Sequence, residues 1–296
     1  MKVLVLHSWG MGDMIMATPM LKTLANNGYS VDLVVFSAIN QTILKDNDFL
    51  DNIFILNAKW KLIKFFKKYD YLVATAGTNA KKVKLANYLI QAKEFFILPQ
   101  QTDIHRIDVN LNTISSLVDK VYKKPYICLN KTQNIDKYLS KDKKNIGFAI
   151  GSGAKQSFKR WDKYKELISK IDANKVLFIG PDELELENEF KGDDITIIKE
   201  NILDTIYLIS KLDLLIGNDN GLMHIGYATD INTVTIYGMT NEKETGGYSP
   251  KNISISLDMS CRPCFSSSTD TLACDDYQCL YQIQTTRVLT ECQKYL

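Results

Sequence analysis

Leu212-Asp213-Leu214-Leu215-Ile216-Gly217-Asn218-Asp219-Asn220-Gly221-Leu222-Met223-His224 is the stretch whose reading decides the fold. Residues 212–216 form a short apolar run of strand length. They pass through a polar turn into a segment of helical period, 221–229, and a second strand-like run follows at 233–237. A strand, a crossover helix and a strand in that order belong to a parallel sheet covered by helices.

The same alternation extends outward from this unit. Upstream come strands at 145–150, 175–179 and 194–198, with helical segments at 163–171, 183–190 and 203–211. In the first half the strand-like runs are 2–8, 31–37, 53–56, 71–75, 94–98 and 126–129. Helical segments lie at 14–26, closed by Gly28, and at 59–68. The polar, lysine-rich stretch 131–145 reads as a connection. The expected fold class is therefore α/β, with two doubly wound Rossmann-like domains, 1–135 and 145–296, facing across a cleft.

Composition is that of an ordinary globular chain: 296 residues, 45% hydrophobic and 24% charged. The sequence holds no apolar run of membrane-spanning length, and its first strand-like stretch is too short for a signal peptide, so a cytoplasmic location is expected. The net charge of +2 conceals an asymmetry. Residues 1–140 hold 18 Lys/Arg against 11 Asp/Glu, and residues 141–296 hold 18 against 23. Only the first half offers a field that attracts anions.

In doubly wound sheets, loops at the carboxyl ends of the strands converge on one pocket. Four such loops in the second half carry its distinctive polar residues: 151–161, 180–183, 217–224 and 238–240. Their chemistry suits a nucleotide diphosphate. Gly221, at a helix start, lets a phosphate approach backbone N–H groups and the positive helix end. Lys159 or Arg160 could neutralise the β-phosphate, with Lys155 a second candidate, and Glu183 could accept from ribose hydroxyls. Asp219 could equally be a plain helix cap.

In the first half, the opening strand runs into Gly10-Met11-Gly12-Asp13. Ile15 stands where a dinucleotide fingerprint needs its third glycine, which argues against a Rossmann dehydrogenase. Asp13 at a helix amino end is either a general base facing the cleft or a cap.

Taken together, Gly10-Met11-Gly12-Asp13 with Thr18-Pro19, Lys159-Arg160-Trp161, Gly180-Pro181-Asp182-Glu183, the turn 218–224 and Tyr237-Gly238-Met239-Thr240 resemble glycosyltransferase family nine, the ADP-heptose:lipopolysaccharide heptosyltransferases and relatives. The likeness covers nearly the whole chain. It implies a GT-B fold and inverting transfer without a catalytic metal, with ADP-heptose as the expected donor. It also implies that Asp13 is the base and that Lys159 sits on the donor phosphates. The donor-binding set it implies is Gly12, Lys155, Arg160, Glu183, Asp219, Asn220, Gly221, Leu222, His224, Met239 and Thr240. Asn220 stands where many members have Thr or Ser, and Ala154-Lys155 replaces a hydroxyl-bearing pair, which leaves the donor sugar open. Expected partners are the nucleotide sugar and an anionic glycan, glycolipid or protein acceptor, not nucleic acid. The other readings are heptosyl transfer to protein, a nucleotide-sugar epimerase of the same architecture, and a non-catalytic glycosyltransferase-like subunit.

Five of the six cysteines fall within the last 36 residues. Cys261, Cys264, Cys274 and Cys279 have spacings that fit a structural Zn or Fe site, with free thiols or a disulfide as alternatives. Lys59, Lys61, Lys64, Lys67 and Lys68, followed by Lys81, Lys82 and Lys84, form either a solvated face or a surface for phosphorylated lipid, glycan or the inner leaflet. His105 and Arg106 either meet acceptor phosphates or stabilise a loop.

Overall fold

The computed structural model describes residues 1–99, 101–152, 154–192, 194–266 and 271–296, without the side chains of Ala154, Lys155, Asp182, Ser266 and Thr271. The chain forms two compact units, Met1–Cys128 and Leu129–Leu296.

The first unit is built on strands β1 (Lys2–His7), β2 (Ser30–Val35), β3 (Asn52–Ile55), β4 (Tyr71–Ala74) and β5 (Glu94–Phe96) in the order β3-β2-β1-β4-β5. All neighbours are parallel, with Val5 opposite both Leu33 and Val73. Helices α1 (Met11–Asn26), α2 (Ala38–Thr42), α3 (Ala80–Ile90) and α4 (Arg106–Thr113) complete it. Central β1 is buried from Val3 onward, which explains its unbroken apolar run.

Helix α1 contains Pro19, whose missing N–H leaves the Ile15 carbonyl without its helical donor. The Thr18 hydroxyl donates to that carbonyl at 2.6 Å and accepts from the Tyr126 N–H at 2.8 Å. Thr18-Pro19 is thus a repaired break that also ties down the chain at Tyr126.

The second unit orders its strands β11-β10-β9-β6-β7-β8, again all parallel. They are β6 (Asn145–Ala149), β7 (Asn174–Phe178), β8 (Thr196–Ile198), β9 (Leu214–Asn218), β10 (Asn232–Ile236) and β11 (Asn252–Ile255). The helices are α5 (Tyr164–Ser169), α6 (Leu184–Phe190), α7 (Ile202–Ile209), α8 (Gly221–Ala228), α9 (Glu242–Thr245), α10 (Gln278–Tyr281) and α11 (Thr285–Cys292). The chain runs outward along β7 and β8, then returns to β9 on the other side of β6. The β6/β9 boundary is therefore the switch point, where such sheets bind ligands.

Three local differences from the sequence reading have physical causes. Residues 59–65 form a 3₁₀ helix in place of an α-helix, because the buried anchors Leu62 and Phe65 are three apart and eclipse one another in that geometry. No strand forms at 126–129, where the backbone bonds irregularly, Cys128 N–H to the Ile43 carbonyl at 2.9 Å. The stretch 131–144 packs against the second unit. Asp204 there accepts from both the Thr132 N–H and its hydroxyl at 2.6 Å.

Candidate active site

In the second unit the switch point is organised by two asparagines. Asn218 ends β9 fully buried; its amide donates to the Ile150 carbonyl, and its oxygen accepts from the Trp161 N–H and the Tyr164 hydroxyl. Asn220 donates to the carbonyls of Ala149 and Gly151, both at 2.7 Å, and its oxygen caps α8 by accepting from the N–H groups of Leu222 and Met223. Each Asn side chain thereby fixes the loop after β6 to the loop after β9. The close approach requires glycine: a Cβ on Gly217 would lie 2.5 Å from the Ala149 carbonyl oxygen.

Between these loops Lys159 Nζ meets Asp219 Oδ2 at 3.1 Å, with both side chains only 11% exposed. Burial pushes the Asp219 carboxyl up, but the Lys159 ammonium and His224 outweigh it and hold the group below the usual carboxylate range. Asp219 therefore pairs with Lys159, and the capping role belongs to Asn220. His224 is buried on α8 with its ring edge-on to Tyr227. Glu183 reaches back to the Gly180 N–H at 3.2 Å, and its carboxylate occupies the space a Cβ on Gly151 would need.

Near this pair several buried polar atoms have no hydrogen-bond partner among the described residues: Ser152 Oγ, and Nε and Nη2 of Arg160. The Thr240 hydroxyl faces the Asp219 carboxylate and helps to keep it ionised. Arg160 spends Nη1 on Glu185 at 2.7 Å. A buried donor without a partner costs about 1–3 kcal/mol, so a cluster of them marks where a polar ligand completes the bonding.

In the first unit, α1 begins at Met11, three residues earlier than its apolar pattern suggests, and no side chain caps it. Asp13 is the third helical residue and so is not the cap. It stands 30% exposed, with Arg106 Nη1 3.4 Å away. Arg106 is itself 5% exposed at the side chain, with its Nε unpartnered among the described residues. His105, its neighbour, uses Nδ1 to accept from the Ile107 N–H and caps α4. Beneath the turn, fully buried His7 hydrogen-bonds Thr75 at 3.1 Å and faces the Gly10 carbonyl. Burial holds His7 below its ordinary value, opposed by the charge of Asp13. Asn110 went unnoticed in the sequence; it accepts from the Ala76 N–H and donates to the Met16 carbonyl, locking α4 to β4 and α1.

Residues 93–273 match glycosyltransferase family 9 (heptosyltransferase). The chain belongs to this family. Across its full length it is similar to lipooligosaccharide heptosyltransferase 2 of Campylobacter jejuni, at 25% identity with 99% of both chains covered. Among solved structures it resembles a family 9 glycosyltransferase from Veillonella parvula, with 19% identity, a TM-score of 0.79, and 99% and 96% of the two chains covered. It also resembles the E. coli ADP-heptose lps heptosyltransferase II, with 19% identity, a TM-score of 0.75, and 100% and 98% covered. These likenesses place the two parallel-sheet units in the GT-B class of fold, and the chain is a glycosyltransferase of the heptosyltransferase type.

At Cys261, Cys264, Cys274 and Cys279 the expected four-thiolate metal site is not shown: among the described residues no group of three or more His, Cys, Asp or Glu side chains could hold a metal ion. The four thiols are nevertheless neighbours, and Cys264 is pushed up by burial and then by Cys274 and Cys261. The thiols are free, Cys261 exposed and Cys279 buried, and burial pushes Cys279 up to about 11. The segment acts through other residues. Arg262 lends its guanidinium to the carbonyls of Gly238, Leu257 and Thr240 and to the Glu242 carboxylate. The Met239 carbonyl accepts from the N–H groups of both Cys264 and Phe265, and the Phe265 ring lies 5.0 Å from Lys159 Nζ. The loop 238–240 is thus held from behind by the cysteine-rich segment. Lys155 falls among the side chains outside the described set, while Gly12 and Leu222 lie in the first turns of α1 and α8. Among the described residues no helix is long and apolar enough to cross a membrane.

Proposed function

We propose that this chain moves a heptose from ADP-heptose to a hydroxyl of a lipopolysaccharide-type or other surface glycan, with inversion at the anomeric carbon. The observation that carries the reading is the group of unpartnered buried donors, Ser152 Oγ and Nε and Nη2 of Arg160, beside the Lys159–Asp219 pair at the β6/β9 switch point. That site offers what a nucleoside diphosphate requires: cations, donors without partners, and a helix start.

In this reading the second unit holds the donor and the first receives the acceptor. Asp13 takes the proton from the acceptor hydroxyl as its oxygen bonds to the anomeric carbon. The bond from that carbon to the β-phosphate oxygen breaks, and ADP leaves with the electron pair. Lys159, held in place by Asp219, and Arg160 offset the growing phosphate charge, so the proposed chemistry calls for no catalytic metal. Glu183 meets the ribose, and Gly12, Asn220, Gly221, Leu222, His224, Met239 and Thr240 shape the donor pocket, with Lys155 beside it. Arg106 orients Asp13, and His105 fixes the start of the helix that presents Arg106. The protein works in the cytoplasm.

The test is incubation with ADP-heptose and a deep-truncated lipopolysaccharide core, measuring ADP release and heptosylated product by mass spectrometry, with UDP-, GDP- and CMP-sugars in parallel. Heptosylated core with the ADP sugar alone is expected. Product on a protein acceptor, epimerised sugar without acceptor, or no turnover with any donor would each overturn it.

A further inference from the structure

Between Asn52 and Lys93 the chain carries nine lysines, and its one acidic residue is Asp70, which Lys93 already pairs at 2.6 Å. Among the described residues none of the other eight lysines has an acidic side chain within ion-pair distance. The segment is not simply a solvated basic face, because large apolar side chains stand out among the charges. Trp60 is 68% exposed, Leu85 63% and Tyr88 75%, with Ile63 and Phe66 also exposed.

These residues share one surface of the first unit. The 3₁₀ helix Lys59–Phe65 and α3 pack together through Leu62, Phe65, Val83, Ala86 and Ile90, which belong to one core cluster. The Lys67 N–H donates to the Ile90 carbonyl at 2.7 Å and closes the far end of the pair. With those anchors buried, the exposed side chains of both elements are lysine and aromatic or aliphatic, apart from the half-buried Asn87, which accepts from the Ala92 N–H. Leu85 and Tyr88, three apart on α3, lie on one helix face.

We propose that this surface seats the first unit on an anionic phospholipid bilayer. Lysine and exposed aromatics without acidic neighbours match a leaflet on both counts: the ammonium groups meet headgroup phosphates, while Trp60, Phe66 and Tyr88 enter the headgroup boundary. A protein partner fits less well, because the centres of protein interfaces are depleted of lysine. The inference goes beyond the transfer reaction and holds whichever sugar is moved.

The experiment is co-sedimentation of the purified full chain with phosphatidylcholine vesicles, with and without phosphatidylglycerol. Binding to the anionic vesicles alone is expected, falling about tenfold or more in high salt. Binding is accompanied by a blue shift of tryptophan emission that Trp60→Phe removes. Joint replacement Lys59→Glu, Lys68→Glu, Lys81→Glu and Lys84→Glu reduces vesicle binding about tenfold or more while the melting temperature stays unchanged. Trp60→Ser with Phe66→Ser weakens it as well. Equal binding to neutral vesicles, no binding to either, or full binding by the quadruple variant overturns the proposal. So does light scattering that shows a dimer which the same substitutions dissolve. Because the readout is vesicle binding, a failure of the sugar-transfer reading leaves this result untouched.

Discussion

The carboxyl ends of the two sheets handle the same problem in opposite ways. In the first unit Asp13 stands on an uncapped helix, 30% exposed, with a single cation at 3.4 Å. In the second, Asp219 is 11% exposed, in contact with Lys159, next to a helix whose first turn Asn220 has capped. One carboxylate is left able to reach a ligand and the other is committed to holding a cation. Under the proposed function, two copies of one architecture divide proton transfer from anion binding, and the division can be tested by exchanging what is removed from each.

The largest effect is expected from Asp13→Asn. Loss of a general base lowers kcat about 10²–10⁴-fold, and the donor Kd from calorimetry stays near the parent value. Asp219→Asn should do the reverse. It leaves Lys159 buried without its counter-charge, weakens donor binding and costs roughly 3 kcal/mol of stability. The comparison breaks if Asp219→Asn abolishes turnover with donor affinity and melting unmoved, or if Asp13→Asn loses the donor.

Arg262→Ala comes next. Its guanidinium satisfies three carbonyls and one carboxylate behind the loop 238–240, so its loss should cost roughly 2 kcal/mol and weaken donor binding. Cys261→Ser with Cys274→Ser serves as the control and should leave both unchanged. Should the serine pair destabilise while Arg262→Ala does not, the thiols and not the arginine brace the loop 238–240.

These contrasts show which parts of the molecule were legible in the sequence. The five strands read in the second half were within two residues, because strands buried on both faces read as continuous apolar runs, whereas the edge strand β11, interrupted by Asn252 and Ser254, was not read at all. The clustering of Lys159, Asp219, Asn220 and His224 also followed, since loops at the same end of a parallel sheet must meet. Pairing was not legible. Asp219 and Asn220 are adjacent and both cap helices well; only the Ala149 and Gly151 carbonyls, about seventy residues away in sequence, make Asn220 the cap. The roles of Arg106 and Asn110 likewise depend on distant contacts, with Asp13 and with Ala76 and Met16, whereas Arg262 works through residues no more than 24 positions away. The cysteine spacing did bring Cys261, Cys264, Cys274 and Cys279 near one another, but spacing alone does not set the ligand geometry a metal needs.

Asn220 offers a smaller and sharper probe of the second site. Asn220→Ala removes both the cap and the two carbonyl bonds and should cost about 2 kcal/mol, at the upper end for a lost cap. Asn220→Ser keeps a capping oxygen and gives up the carbonyl bonds, so it separates helix capping from loop tethering. If both variants lose the same stability by denaturant titration, the tether alone carries the effect. If Asn220→Ser matches the parent chain, the cap does.

The smallest effect concerns His7, a titratable ring fully buried under the turn that carries Asp13. Burial lowers the His7 value below 6.5, so between 6.5 and the lower folded value the unfolded chain binds a proton that the folded chain refuses. Stability contributed by the neutral ring is present above that window and drains away as pH falls through it, by at most about 1.4 kcal/mol per pH unit. Asp13 opposes the shift, since its charge favours the protonated ring, and this should keep the observed slope below that ceiling. His7→Gln retains a donor and an acceptor for Thr75 and Gly10 but cannot titrate, so its melting temperature should fall less between pH 6.5 and pH 5 than that of the parent chain. Parallel melting curves for the two across that range would mean that His7 takes up its proton equally in the folded and unfolded chains, with the charge of Asp13 cancelling the cost of burial.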